Sequence, residues 1–251
     1  MDEMHARTAL LLGEKALNRL GDATVAVFGV GGVGSFAAEG LARSGVGRLI
    51  LVDHDTVVPS NLNRQLEATV ETLGCGKARA MADRILKIRP NMAVEAVEAF
   101  YSAGQADRIF SILSAASGTN LIIDAIDSLA SKIHLILQAK QRGIPVISSM
   151  GAGNRLDPSA FRVADIYSTE GCPLAKRVRK GLREAGVASH VVVYSTELPV
   201  RKGPPGSIIC VTGAAGLILA GEAIRQLLAA PGEKKHGACT ENTVATGSPG
   251  F

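Results

Sequence analysis

The sequence predicts an α/β fold: a Rossmann-like, doubly wound, mostly parallel sheet with helices on both faces and a smaller C-terminal α/β extension. Short apolar runs alternate with helical segments, which is typical of consecutive βαβ units. These runs are apolar throughout, as expected for strands that are covered on both faces. A glycine-rich turn directly follows the first long apolar run and precedes a helix, as in nucleotide-binding βαβ units.

The elements follow in order along the N-terminal part. Leu10, Leu11, Leu17 and Leu20 stand at roughly helical spacing, which predicts one amphipathic helix over residues 7–20. Apolar runs predict strands over 23–28 and 48–52, with a helix between them. The pattern then predicts helices over 77–88, 105–113 and 130–141 and strands over 93–97, 120–124 and 145–149.

The pattern becomes less regular after residue 151 and predicts the C-terminal extension. The expected elements are strands over 161–166 and 190–194, a basic helix over 174–184, a Gly/Pro-rich loop over 202–207 and an apolar helix over 213–228. Residues 231–251 are polar, glycine-rich and without periodicity, which predicts a disordered tail.

Composition indicates an ordinary globular protein of the cytoplasm. The formal charge is only +4 over 251 residues and Trp is absent, so charge alone does not establish nucleic-acid binding. The four cysteines form no CxxC pair, which argues against a structural zinc and a disulfide framework. The longest uncharged segment, 203–221, contains two prolines and five glycines, and the N-terminal residues lack the pattern of a signal peptide. We expect no membrane span and no export.

The glycine-rich turn predicts a nucleotide site. Gly29, Gly31 and Gly34 form G-x-G-x-x-G between a strand and a helix, with Gly32 inside the motif, where backbone N–H groups can hold phosphate. Asp53 ends the second strand and is placed to bind a ribose. Taken alone, these features favour an NAD-dependent enzyme, and a tight turn without ligand is the less favoured interpretation.

Cations near this turn favour a triphosphate over a dinucleotide. The loop that starts at Asp53 is rich in polar residues, and a lysine opens the next helix. Two cations beside a phosphate-binding turn would offset the repulsion between a triphosphate and an attacking carboxylate. At the end of the fourth predicted strand, Asp124 and Asp127 lie where α/β folds bind ligands, and Asp127 can hold magnesium. The polar residues of the loop and the following lysine are Asp55, Asn61, Asn63, Arg64, Gln65 and Lys77.

These motifs together resemble the adenylating superfamily of ubiquitin-activating enzymes and bacterial activators of sulfur-carrier proteins. The similar segments are GVGGVG, D-x-D with SNLNRQ, GCGK and DAIDS, in that order. The resemblance implies that the glycine turn binds ATP, that Asp53 holds ribose, that Asn61, Arg64 and Lys77 contact phosphates, and that Asp127 binds magnesium. It also implies a homodimer in which Arg7 reaches the ATP of the partner subunit. From the residues alone, Arg7 is a solvated charge at a helix start.

The chain also contains ARTALLLGEKALNRL, SSMGAGNRLDPS, PLAKRVRKGLR, VVVYSTELP and GSIICVTGAAGLILAGEAIRQL. With these segments, residues 5–228 are similar to one branch of that superfamily, the tRNA threonylcarbamoyladenosine dehydratases. The similarity implies ATP-dependent adenylation of the threonyl carboxylate in tRNA, followed by ring closure with release of AMP. Paired zinc cysteines and a catalytic cysteine domain, which other branches carry, are absent from the sequence. We expect one domain over 1–230, with a nucleotide-binding half at about 22–150 and a substrate or dimer half at about 151–230. A sulfur-transfer protein is a further partner that the resemblance allows.

Two other functions remain open at this point. The first alternative is an adenylyltransferase that activates the C-terminus of a ubiquitin-like sulfur carrier. The second is a nucleotide-binding scaffold or sensor without turnover. The five basic residues over 176–183, with Arg201 and Lys202, fit a surface that contacts tRNA phosphates about as well as a solvated helix face.

The cysteines and histidines add little to the predicted chemistry. Cys172 is expected to be an exposed loop thiol without a role, although a thioester or persulfide there would favour the sulfur-carrier branch. Cys210 is expected in the core and Cys239 in the tail, and Cys75 is a small residue at a helix start. The five histidines show no metal spacing, and His54 is expected near the nucleotide.

Overall fold

One sheet of seven strands forms the centre of the computed structural model, which describes residues 3–115, 118–201 and 203–229. The strands are β1 (Thr24–Phe28), β2 (Arg48–Asp53), β3 (Ala93–Glu98), β4 (Leu121–Asp124), β5 (Val146–Ser149), β6 (Phe161–Asp165) and β7 (Val191–Ser195). Their order is β3-β2-β1-β4-β5-β7-β6, and neighbours are parallel except for the antiparallel pair β6 and β7. The predicted fold class is confirmed.

Helices connect the strands at the predicted places. They are α1 (Ala6–Leu12), α2 (Glu14–Gly21), α3 (Gly34–Arg43), α4 (Lys77–Ile88), α5 (Ala106–Ser114), α6 (Leu129–Gln141), α7 (Pro173–Glu184) and α8 (Ile209–Leu228). Most bounds lie within one or two residues of those expected from the sequence, and α4 has the predicted bounds.

Both faces of the sheet are covered by helices. Along β1, Val25 and Val27 point into a core with α2, α3, α4 and α8, whereas Ala26 and Phe28 point into a core with α5, α6 and α7. The alternation follows from the two-residue period of a strand. Because each face is buried, both sets of side chains must be apolar, which is why the runs in the sequence are continuous.

The predicted helix over 7–20 is wrong in one respect, since it is two helices. Gly13 separates α1 from α2 with φ of +83°, a conformation that side-chain-bearing residues rarely adopt. The break changes the direction of the chain, so that Leu20 is buried in the core while Leu10 and Leu11 on α1 are 85% and 83% exposed. Helical spacing alone did not show this, because the leucines fit one continuous helix.

Helix α8 begins one turn earlier than predicted and packs closely on α3. A Cβ on Gly216 would lie 2.3 Å from the Val33 carbonyl oxygen, so glycine allows the two helices to approach. By length and composition α8 could cross a membrane, but 50% of its apolar window is buried within the fold. Its packing against α3 and the sheet accounts for the apolar sequence as that of a core helix.

Two cysteine predictions are wrong. Cys172 is only 5% exposed, because it packs in the core with α5, α6 and α7. It also caps α7, where its Sγ accepts a hydrogen bond from Ala175 N at 3.5 Å. Cys210 is exposed, because the earlier start of α8 places it in the first turn of that helix. Cys75 is exposed just before α4. Cys239 and the predicted tail over 231–251 lie outside the described residues.

Candidate active site

A cavity of about 520 Å³ opens at the carboxyl edge of the sheet, where β1, β2, β4 and β5 end. The chain continues from β1 to β2 and β3 on one side and returns through β4 on the other, which makes this edge a topological switch point. The predicted site residues that line the cavity are Gly29, Gly31, Gly32, Asp53, Asp55, Asn61, Arg64, Lys77 and Asp127. The structure therefore brings together residues from four separate parts of the chain.

Two glycines of the turn are required by close backbone contacts. Gly29 has φ of +83°, and a Cβ there would lie 2.7 Å from the Ala125 carbonyl oxygen. A Cβ on Gly34, which does not line the cavity, would lie 1.8 Å from the Gly29 carbonyl oxygen. By contrast, the nearest atom to a Cβ on Gly31 is the Gln65 Nε2 at 3.6 Å. Gly29 and Gly34 therefore close the turn, whereas Gly31 leaves space for a ligand.

The Asp53 carboxylate joins the end of β2 to the glycine turn. Its Oδ2 accepts a hydrogen bond from Val30 N at 2.6 Å, and its Oδ1 accepts one from Asp55 N at 2.9 Å. Each carboxylate oxygen can accept a further hydrogen bond. Asp53 can therefore accept a hydrogen bond from a ribose hydroxyl while it holds the backbone of the turn, and its ribose role stays a prediction.

Lys77 provides a buried cation at the cavity wall. Its side chain is 8% exposed, and Nζ donates a hydrogen bond to Asp55 Oδ2 at 2.8 Å. This hydrogen bond lowers the pKa of the Asp55 carboxyl, although partial burial opposes the shift. Asp55 is predicted as a nucleotide-binding residue, and the structure shows that it also positions Lys77. The ammonium group has two further N–H donors for phosphate oxygens.

Arg64 and Asn61 are held by the loop that follows β2. Arg64 Nη1 donates hydrogen bonds to the Ser60 carbonyl oxygen at 2.8 Å and to Asn63 Oδ1 at 2.9 Å. The other guanidinium N–H groups remain available to a phosphate. Asn61 Oδ1 accepts a hydrogen bond from Val58 N at 3.1 Å, so the buried amide closes the loop while it lines the cavity.

The two aspartates at the end of β4 differ in environment. Asp124 is buried and pairs with the buried Lys132 Nζ at 2.8 Å, an ion pair that links β4 to α6. Asp127 lies at the cavity and is exposed, and its side chain has no hydrogen bond or ion pair within the described parts of the chain. Asp127 is therefore the better candidate of the two for a cation from solvent.

A carboxylate and imidazole group lies on the other side of the cavity. Ligand atoms of Asp53, His54 and Asp55 all lie within 4.8 Å of one another, and His54 lines the cavity. The oxygens of Asp53 already accept backbone N–H groups, and Asp55 is paired with Lys77. These contacts account for the group without a metal ion.

Arg7 lies outside the cavity of its own chain. It is exposed on α1, one turn before the exposed Leu10 and Leu11. The predicted contact with a nucleotide therefore requires a second copy of the chain.

Several cavity residues were not predicted to have a role in the site, including Gln65, which was noted only as a polar residue of the loop. Gln65 is buried with its Oε1 unpaired among the described residues, and it belongs to the same SNLNRQ motif as Arg64. Tyr101 follows β3, and its hydroxyl lies 3.1 Å from His134 Nδ1; burial raises the pKa of this phenol. The rule that ligands bind at strand ends could have found Phe100, Tyr101 and Ser149. Thr212, at the start of α8, does not follow a strand, so this rule could not have found it.

Comparison with known proteins identifies the family. A family model described as the ThiF family matches residues 5–248. The chain belongs to the ThiF family. It is 42% identical to the tRNA threonylcarbamoyladenosine dehydratase of Bacillus subtilis over 89% of this chain and 94% of that protein. It is 38% identical to the Escherichia coli dehydratase over 83% of this chain and 79% of that protein.

Solved structures give the same family relationship. The E. coli dehydratase in complex with ATP has a TM-score of 0.84 and 35% sequence identity, over 90% of this chain and 94% of that one. The same enzyme in complex with AMP has a TM-score of 0.83. The adenylating superfamily predicted from GVGGVG and the motifs after it is therefore confirmed.

A buried carboxyl lies beside the cavity of this ThiF-family chain. Glu67 is 1% exposed, and neither carboxylate oxygen has a hydrogen-bond partner among the described residues. Burial raises the pKa of this carboxyl from its ordinary value of 4.5 to about 7; the residue's own backbone N–H and the Lys77 ammonium oppose the rise, and Asp53 adds to it. Glu67 was not predicted, because its position in the sequence does not show that it is buried.

The protonation of Glu67 makes folding stability depend on pH. In the unfolded chain the carboxyl ionises near pH 4.5, whereas in the folded chain it keeps its proton to about pH 7. Between these values the folded state binds more protons, so the free energy of unfolding falls as pH rises. Because of this group, the free energy of unfolding is expected to fall by about 3 kcal/mol in total, and the fall is complete above the folded pKa.

We expect Glu67→Gln to remove this loss, because glutamine is neutral at every pH and has nearly the same size. Urea denaturation at about pH 5 and about pH 8 measures the difference. Relative to the wild type, the variant should gain about 2.5 kcal/mol between the two conditions, since part of the total loss has already occurred at about pH 5. Glu71→Gln, at an exposed carboxyl in the same loop, is the matched control. Equal pH dependence in Glu67→Gln and the wild type would contradict the assignment.

Proposed function

We propose that this protein is an ATP-dependent dehydratase of threonylcarbamoyladenosine in tRNA. The observation that supports it most strongly is that Arg64, Lys77 and Asp127 line the same cavity as the glycine turn. Two cations and a free carboxylate beside a phosphate-binding turn suit a nucleoside triphosphate with a divalent ion. Relatives that share this chain over most of its length are dehydratases, and one of them binds ATP.

The reaction consists of two displacement steps. The threonyl carboxylate attacks the α-phosphorus of ATP, pyrophosphate leaves, and an acyl-adenylate forms. A nucleophile of the same modified nucleoside then attacks the activated carbonyl carbon, and AMP leaves with one carboxylate oxygen, so that the nucleoside loses the elements of water. Because the second nucleophile is tethered, proximity takes the place of a protein nucleophile.

Each cavity residue has a role in the first step. Backbone N–H groups of the glycine turn at the start of α3 would hold phosphate, and Asp53 would hold the ribose. Arg64 and Lys77 would reduce the repulsion between the carboxylate and the triphosphate and stabilise the charge that develops on the leaving pyrophosphate. These roles are proposals for the predicted residues.

We propose that Asp127 holds magnesium. Its carboxylate is a hard oxygen ligand, lies at the cavity and is not engaged by another described residue. Bound magnesium would supply positive charge to the phosphates of ATP.

We also propose a homodimer with shared active sites. Leu10 and Leu11 on α1 expose large apolar side chains, and Arg7 lies on the same helix without access to the cavity of its own chain. A second copy that covers α1 would bury these leucines and could place Arg7 at the partner's nucleotide. In this arrangement the predicted nucleotide-binding half would hold ATP, and residues from 151 onward would contribute to the substrate side.

The alternative of sulfur-carrier activation has less support. Cys172 is buried and caps α7, so its thiol is not placed to form a thioester with a large carrier protein.

A sulfur-transfer protein would be a third partner besides tRNA and the second copy. An assay with the purified protein alone tests whether this partner is needed. We place the reaction in the cytoplasm, where ATP and tRNA occur and where thiols such as Cys75 stay reduced.

A nucleoside assay tests the proposed function. Purified protein is incubated with tRNA that carries threonylcarbamoyladenosine, in the presence of ATP and magnesium or with either omitted. The nucleosides are then released by mild digestion, and their masses are measured by mass spectrometry. We expect loss of one water and release of AMP only in the complete mixture. An unchanged nucleoside together with adenylation of a Gly-Gly carrier would favour the alternative, and ATP binding without AMP release under any condition would favour a sensor.

A further inference from the structure

Helix α7 contains the net positive charge of the chain. It holds five of the 27 Lys and Arg residues and one of the 23 Asp and Glu residues, so the rest of the chain has 22 of each and is formally neutral. The cations are Lys176, Arg177, Arg179, Lys180 and Arg183. Charge concentrated on one helix gives one side of the molecule a positive potential.

The structure divides these five cations into two groups. Arg179 donates a hydrogen bond to Thr169 Oγ1 at 2.8 Å, and the Arg183 guanidinium lies 5.4 Å from the centre of the Tyr167 ring. These two side chains hold the segment before α7 against the helix. These contacts account for the positions of Arg179 and Arg183, so neither side chain needs a ligand.

The other three are available to a partner, and we call them the α7 basic face: Lys176, Arg177 and Lys180. Lys176 and Arg177 are exposed, and within the described part of the chain their side chains form no hydrogen bond or ion pair. Lys180 lies 3.8 Å from Glu184, but both side chains are largely exposed, so the pair is weak. Residues three and four apart are neighbours on a helix surface, so the three cations form one patch.

The α7 basic face begins next to the cavity. Leu174, in the first turn of α7, lines the cavity wall. Cys172 Sγ, at the N-cap, lies 3.5 Å from the Cβ position of Gly151, which also lines it. Lys176 and Arg177 therefore lie within one helical turn of the wall, and Lys180 lies one turn further out.

We propose that the α7 basic face binds the phosphates of tRNA that flank the modified nucleoside, an inference that rests on the proposed function. A nucleoside within an RNA chain carries a phosphodiester on each side. When its modified side chain enters the cavity, those phosphates lie at the rim, where exposed cations can replace their counterions. Arg201 is a further exposed cation, near the loop whose Pro205 and Ser207 line the cavity; Lys202 lies outside the described residues.

The test combines Lys176→Gln, Arg177→Gln and Lys180→Gln in one variant, since glutamine keeps the helix propensity and removes the charge. We expect the tRNA dissociation constant to rise about 30-fold near 0.1 M salt. The slope of log affinity against log salt should fall in magnitude by about two to three. The KM for ATP should be unchanged, as should the kcat at saturating tRNA, because none of the three residues lines the cavity.

The matched control replaces Lys15, Arg79 and Lys87, three exposed cations on α2 and α4 at the opposite face of the sheet, with glutamine. It should bind tRNA like the wild type. A second variant, Lys176→Arg with Lys180→Arg, should also keep wild-type binding, because it preserves the charge.

The proposal is overturned if the glutamine variant binds tRNA with the wild-type constant and salt slope, or if the control variant loses as much affinity. Binding is measured separately from turnover, so a wild type that leaves the nucleoside unchanged would contradict the proposed function only. An unchanged KM for ATP and kcat in the glutamine variant exclude a folding defect as the cause of weaker binding, and wild-type binding by the arginine variant shows that the charge is what matters.

Discussion

Replacing Lys77 with alanine is expected to lower kcat/KM for ATP-dependent dehydration by about 30- to 1,000-fold, or about 2 to 4 kcal/mol of transition-state stabilisation. Lys77 is buried at the cavity wall and contributes a cation where a ligand's phosphates can approach. Its partner Asp55 has a half-exposed side chain, so removal of the ammonium leaves a carboxylate that water can solvate. The loss should therefore appear in the kinetics more than in the folding stability.

The measurement is the rate of pyrophosphate release with saturating modified tRNA and varied ATP. Lys87→Ala is the matched control, because Lys87 lies on the same helix, is exposed and forms no described contact. Arg64→Ala should give a loss of similar direction, since Arg64 is the other cation at the cavity. Wild-type rates for both Lys77→Ala and Arg64→Ala would remove this cavity as the site of adenylation.

The fold was largely predictable because its signals are local. Strands buried on both faces require continuous apolar runs, and β1, β2 and β4 show them clearly in the sequence. The break at Gly13 was not predicted, because glycine tolerates a helix as well as a left-handed turn and only the packing of α2 decides between them. The start of α8 was missed because its first turn mixes the exposed Ile209 and Cys210 with the buried Val211 and Thr212, and two buried neighbours give no helical period.

The site was predictable only where its residues lie in one motif or follow a strand. Asp53, Arg64 and Asp127 satisfy this condition, and all three reach the cavity. Glu67 and Cys172 do not, because their burial depends on elements that are distant in sequence. Burial changes what each can do: it keeps Glu67 protonated to about pH 7, and it places the Cys172 thiol in a helix cap. Sequence position alone contains neither fact.

Replacing Arg7 with alanine is expected to abolish dehydration although Arg7 does not line the cavity of its own chain. In the proposed homodimer this arginine contacts ATP in the partner's site, so each site needs Arg7 from one copy and Asp127 from the other. Asp127→Ala is likewise expected to abolish turnover, because it removes the proposed magnesium ligand. Both positions are exposed, so neither change should unfold the protein.

Mixing the two inactive variants distinguishes a shared site from a self-contained one. If subunits exchange freely, about half of the dimers are mixed, and one of the two sites in each mixed dimer has both Arg7 and Asp127. Equal mixing should therefore restore about a quarter of the wild-type activity per site, whereas each variant alone stays inactive.

The positive control is an equal mixture of Arg7→Ala with Lys77→Ala, which should complement equally, because Lys77 and Asp127 line the same cavity. Mixing Asp127→Ala with Lys77→Ala should restore no activity. Both changes affect the same cavity, so every cavity in a mixed dimer lacks either Asp127 or Lys77. Full subunit exchange, shown with differently tagged copies, without any recovery of activity would contradict the shared site and leave Arg7 a solvated charge on α1.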